Sequence, residues 1–198
     1  MKFFTKEEIL VVFGILVIIV LISLQNFKIS LRRARDAQRK DGVGTIANGL
    51  ARYRDDFARF PLSSSDGKIL ACRPKVSDDE KEKKIVVFEP CEWGEDSLRD
   101  ALDLSYPAYI ETIPSDPNYE SGSYYLYLSN GSRFQIYAAL EGDDEDEYDP
   151  NIVQRGLKCG EKLCDFGRSS GVPLDKSIEE YENELMIENS KSQIPNAK

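Results

Sequence analysis

The groups in this chain that could do chemistry are carboxylates, amines, tyrosines and thiols: 35 Asp and Glu, 26 Lys and Arg, 10 Tyr and 4 Cys, with no histidine. Without imidazole there is no Ser-His-Asp or Cys-His nucleophile and no His-Glu-x-x-His zinc site. A carboxylate pair of the glycosidase kind needs two carboxyls at a fixed separation. Abundance does not supply that geometry, and a chain this short shows no pocket motif, so the reading is of a non-enzyme. Cys72, Cys91, Cys159 and Cys164 are an even set with no Cys-x-x-Cys spacing for zinc. They suit two bridges in an oxidising compartment, or else four buried thiols. Four cysteines allow three connectivities; chain proximity favours Cys72–Cys91 and Cys159–Cys164, because short loops close at least entropic cost. Thr5-x-x-Glu8, just ahead of an apolar run, has the form of a capping box. The acidic run from Glu141 to Asp149 holds seven carboxylates in nine residues and reads first as a solvated loop.

The elements that carry these groups follow from charge and hydropathy. Net charge is −9 over 198 residues, but it is uneven. Residues 1–27 are neutral, residues 28–40 net +5 from six cations against Asp36, and the rest is strongly acidic. An acidic body argues against nucleic acid as a partner of the head, since phosphate neutralisation needs the opposite sign. From Ile9 to Leu24 no residue is charged and no polar face interrupts the run. Extended to Phe27, such a helix spans about 28 Å, close to the hydrocarbon core of a bilayer. No small-x-small cleavage site follows, which disfavours a cleaved secretory signal. The reading is a membrane-spanning helix with the lipid bilayer as partner. Its orientation stays open on these residues: the basic collar after the span points the head to the cytoplasm, and the cysteines point it outward.

Beyond the collar, Val43, Ile46, Ala47, Leu50, Tyr53 and Phe57 recur at three and four residues, a single helical stripe. No proline occurs before Pro61. The spacing predicts one helix from Thr5 to Phe60, with Gly42, Gly44 and Gly49 as places where it could bend. Asn130-Gly131 between two alternating runs predicts a hairpin. With those two residues central, Tyr127 pairs with Phe134 and Tyr125 with Ile136, and that face covers the helical stripe. Residues 62–94 read as irregular, Asp96–Leu104 as a short helix, Ile113–Pro117 as a rigid connector, and the end from Pro173 as a polar tail with one weak helical pattern. The fold expected is α+β: a long N-terminal helix, its first half spanning the membrane, packed on a small antiparallel sheet. The divisions are 1–3, 4–27, 28–60, a head at 61–172 and a tail at 173–198.

Phe4-Thr5-x-x-Glu8 running into an apolar helix resembles the class III signal of type IV pilins and type II secretion pseudopilins. Tyr53-Arg54-Asp55-Asp56-Phe57-Ala58-Arg59-Phe60-Pro61 resembles that family's helix exit. Ile113-Pro114-x-Asp116-Pro117 before the Tyr-rich hairpin is similar to its connector and sheet, and the basic segment Arg32–Lys40 to its collar. The match runs in order over roughly residues 3–141. It implies a structural subunit, held in the inner membrane with an exported head and then assembled into a surface filament. The implied partners are other pilin-like subunits, the prepilin peptidase and the assembly machinery of the inner membrane. Processing would fall between Phe3 and Phe4, although the family places glycine where this chain has Phe3. Phe4, Thr5 and Glu8 would serve assembly, Glu8 by neutralising a neighbour's terminal amine, a carboxylate in lipid being costly unless paired. Secretion pseudopilins often hold calcium in the loops after the hairpin, which implies Asp143, Asp144, Asp146 and Asp149 as oxygen ligands for calcium. The alternative is a single-pass membrane protein whose acidic domain is an interaction or regulatory module.

Overall fold

The computed structural model describes residues 5–78 and 84–192 of the chain. Helix α1 runs from Lys6 to Phe57, 52 residues or about 78 Å. Thr5 caps it, and Ala58, in the left-handed region at φ 57°, ends it with its N–H on the Arg54 carbonyl. Its two halves meet different surroundings. Ile9 to Leu31 presents apolar side chains on every side, all exposed, whereas Val43, Ile46 and Leu50 are fully buried. The glycines do not break it. Gly42 and Gly49 instead bring the helix against the head: a Cβ there would lie 2.6 Å from the Tyr125 hydroxyl and 2.3 Å from Ile110 Cγ1 respectively.

Two three-stranded antiparallel sheets form the head. In the first, β1 (Leu62–Ser63), β2 (Ile69–Asp78) and β3 (Lys84–Pro90) lie in that order. This corrects the irregular reading of residues 62–94. Pro74, an Arg73 at φ 45° and two register shifts interrupt β2, so its alternation is not visible in the sequence. The second sheet orders β4 (Leu126–Ser129), β5 (Phe134–Ala138) and β8 (Phe166–Ser169), the last named here by its place after the small pair β6 (Lys158–Cys159) and β7 (Lys162–Leu163).

The hairpin forms with a different register. Ser129 pairs with Phe134 and Tyr127 with Ile136, so the loop is four residues, Asn130–Arg133. Only Gly131 takes positive φ (89°). The Asn130 side chain accepts from the N–H groups of Ser132 and Arg133 and holds the wider loop. The shift is two residues, an even number, so each side chain keeps its expected face. Tyr125, Tyr127, Phe134, Ile136 and Ala138 do pack with Val43, Ile46 and Leu50. Strand β5 is central and buried on both faces. Its other side carries Tyr137 into a second cluster with Ala139, Ile152 of α2 (Pro150–Gln154), and Cys159 and Cys164.

Asp96–Leu104 is not a helix. The Asp100 carboxylate accepts from the N–H groups of Leu102 and Asp103, and Asp103 from Ser105, bonds that draw the backbone into successive turns. The segment after Val172 is fastened to the head: the Gln135 amide donates to the carbonyls of Pro173 and Lys176, and Tyr137 to that of Leu174. Helix α3 (Ile178–Ser192) follows.

Candidate functional site

Two regions stand out: the start of α1 and the joint where the basic collar meets the head. At the start, the Thr5 N–H donates to Glu8 Oε2 at 2.8 Å and the Glu8 N–H to Thr5 Oγ1 at 3.4 Å, a reciprocal capping box. Both residues are exposed. Phe3 and Phe4 lie outside the described residues. Past the cap, α1 contains the one helix segment among the described residues that is long and apolar enough to cross a membrane, with a mean hydropathy of 2.7.

At the joint the collar folds onto the acidic run, and burial divides their pairs into two tiers. In the inner tier Arg39, 1% exposed, grips Asp116 with Nε at 2.8 Å and Nη2 at 3.1 Å, and reaches Asp36 at 2.8 Å and Glu141 at 3.0 Å. Asp36 is itself fully buried and accepts from the N–H groups of Glu141 and Gly142. One helical turn of α1 thereby fixes the Pro-x-Asp-Pro connector and the segment that follows β5. Burial works against the Arg39 charge, but the bonds to Asp116, Glu141 and Asp36 outweigh it and hold the guanidinium above its ordinary value. Glu141 also takes a bidentate bond from Arg35, which with Arg39 holds its carboxyl down at about 2 despite burial. The outer tier is more open: Arg32 and Arg33 meet the exposed Asp144, and Lys40, half-buried, meets the half-buried Glu145 and the exposed Glu147, both at 2.8 Å. Exposed pairs of this kind each contribute about 0–1 kcal/mol.

The four expected calcium ligands are not brought together. Asp144 pairs with Arg32, Asp149 caps α2 by accepting from the Asn151 N–H, and Asp143 and Asp146 are exposed. Among the described residues no group of three or more acidic or thiol side chains is arranged to hold a metal ion. The acidic run is a counter-charge for the collar rather than a free loop. The cysteines are bonded as Cys72–Cys91 and Cys159–Cys164. The first ties β2 to the end of β3, and the second closes the β6–β7 turn in the cluster behind β5.

Sequence reasoning missed the inner tier, although a signal existed. Asp36 and Arg39 continue the stripe of Val43, Ile46, Leu50, Tyr53 and Phe57 at the same three-and-four spacing, so the buried face begins with an ion pair. It also missed Asp165, which is 7% exposed and accepts from the Leu140 N–H at 2.8 Å. Burial, with the nearby Asp36 charge adding to it, pushes its carboxyl up to about 6 against the pull of that N–H and of Lys162 and Arg39. The folded state therefore holds this proton at a pH where the unfolded chain has lost it, so Asp165 adds stability as pH falls from above 6 toward 4. Glu141 has the opposite sign: its contribution is present above the ordinary carboxylate value near 4.5 and is lost as pH falls toward 2. On these two groups alone stability should peak at about pH 4, where the gain from Asp165 and the loss from Glu141 balance. Asp165→Asn keeps the acceptor and removes the charge, and should stabilise the head at pH 7.5 by roughly 1–3 kcal/mol while abolishing the gain between pH 7 and 5. Thermal unfolding across that range checks it; an unchanged slope would mean Asp165 is ionised throughout.

No family model, curated protein or solved structure matches the chain.

Proposed function

We propose that the chain is a structural subunit of a type IV pilus or a type II secretion pseudopilus, anchored in a membrane by the first half of α1 and assembled into a filament through the same helix. One observation carries this reading: a single unbroken helix is apolar and exposed on all sides from Ile9 to Leu24, and packs on the head from Asp36 onward. In a bilayer the exposed half meets lipid; in a filament it would meet the corresponding halves of neighbouring copies, both apolar surroundings in which no polar face is needed. The order of sequence elements that resembles the pilin family supports the filament over a plain anchor. Both disulfides support an exported head, because bridges of this kind persist in oxidising compartments. The protein would act by assembly and surface presentation, not by catalysis.

The cytosolic alternative rests on the positive-inside rule applied to the basic collar, which the two disulfides oppose. The test is fractionation of the cells that make the protein, with alkylation of any free thiols. The expected result is protein in both the membrane and the sheared surface fraction, with no cysteine alkylated. Its absence from the sheared fraction, with all four cysteines alkylated, would replace the filament by the cytosolic module.

A further inference from the structure

The collar's outer tier stands at a particular depth. If the span ends at Phe27, the first charge after it is Lys28, and Arg32 and Arg33 lie about 8 Å further along the helix. A bilayer adds about 5–8 Å of polar headgroup layer beyond its hydrocarbon on each side, so these residues stand at its outer edge, from which a long guanidinium side chain reaches back to the lipid phosphates. Asp144, bonded to Arg32 and 3.7 Å from Arg33, is brought to the same level. The acidic loop thus places carboxylates where phosphates would otherwise sit, and a guanidinium binds both anions with the same fork of donors.

We propose that Asp144 of this loop and the phosphates of anionic phospholipids are alternative partners for Arg32 and Arg33, so that an anionic bilayer frees the membrane-facing part of the loop around Asp144. The inference rests on the membrane reading of α1 made above. Three features decide it. Arg32, Arg33 and Lys40 hold the loop through partly exposed pairs, which water and salt weaken. An anionic surface attracts Arg32 and Arg33, the two cations at its level, and repels the loop's exposed Asp143 and Asp146, so both effects act in one direction. The displacement has a defined limit, because Glu141 and the Gly142 N–H are held by the buried Arg39 and Asp36. Gly142 is the residue at that boundary, and a side chain there would press on the Arg32 guanidinium 2.9 Å away.

The experiment uses the full chain in lipid nanodiscs, cut briefly with a glutamate-specific protease and read by mass spectrometry. One set of discs is phosphatidylcholine, the other one-third phosphatidylglycerol. Cleavage after Glu145, the residue next to Asp144, should be roughly fivefold faster in the anionic discs, while cleavage after the exposed Glu188 of α3 serves as the control and should not change. Inorganic phosphate added to phosphatidylcholine discs at matched ionic strength should leave the loop protected. In Arg32→Gln/Arg33→Gln/Lys40→Gln the loop should be cut quickly in both lipids. Equal protection in both lipids, with α1 stably inserted, would overturn the displacement and leave the anchor reading intact. An equal response to free phosphate would overturn the lipid as its source. Failure of the chain to enter the discs would overturn both readings.

Discussion

Arg39→Ala is expected to destabilise the head by roughly 3–5 kcal/mol, the cost of removing one partner from a buried ion pair. The substitution would leave Asp36 and Asp116 facing each other in a site of 0% and 3% exposure, with Glu141 beside them. Either the carboxylates take up protons or water enters the joint, and both undo the contact between α1, the connector and β5. Arg39→Lys should recover part of the loss, since an ammonium keeps the charge but cannot bind Asp116 with two parallel donors. Arg32→Ala, in the exposed tier, should cost less than about 1 kcal/mol. Thermal unfolding of the full chain in detergent ranks the three. Equal midpoints for Arg39→Ala and Arg32→Ala would show that the inner tier has no greater weight than the surface pairs.

Glu8→Ala and Glu8→Gln together separate the two roles of that carboxylate. The capping box uses one Glu8 oxygen as the acceptor for the Thr5 N–H, which glutamine can also provide. If Glu8 only caps the helix, the alanine variant should lose about 1 kcal/mol at the helix end, the glutamine variant less, and both should assemble. If its charge answers a neighbour's terminal amine at the edge of lipid, both variants should insert normally yet fall more than tenfold in sheared filament, because the neutral side chain leaves that amine unpaired. The filament role predicts the second pattern. Wild-type filament yield from Glu8→Gln would remove the charge from the assembly mechanism while leaving the subunit reading in place.

The parts of the fold legible in the sequence are those set by local rules. The span is written in uninterrupted hydropathy, α1 in a three-and-four stripe with no proline, and the hairpin in Asn130-Gly131. The faces of β4 and β5 came through even though the register did not, because pairing differs by an even number of residues and the alternation is preserved. The failures have physical causes as well. The Asp96–Leu104 pattern suited a helix, but Asp100 and Asp103 bond their own neighbours' N–H groups and stop it. Strand β2 is bulged around Arg73 and Pro74, and the two register shifts there break the alternation by which it could be read.

At the functional joint the division is sharper. The sequence by itself determined that this chain has an apolar helix of membrane length, a basic collar after it, an acidic body and four cysteines in two near pairs. Only the tertiary structure decided what the charges do. Arg39 and Asp116 are 77 residues apart, and Arg32 and Asp144 are 112 apart. Apart from Asp36, which continues the helical stripe, nothing local distinguishes a carboxylate that will meet an arginine from one that will meet water. That choice is made when Val43, Ile46 and Leu50 seat α1 on the second sheet and bring the collar against the segment that follows β5. Long-range packing of apolar side chains sets the distances, and electrostatics then acts on the neighbours it is given.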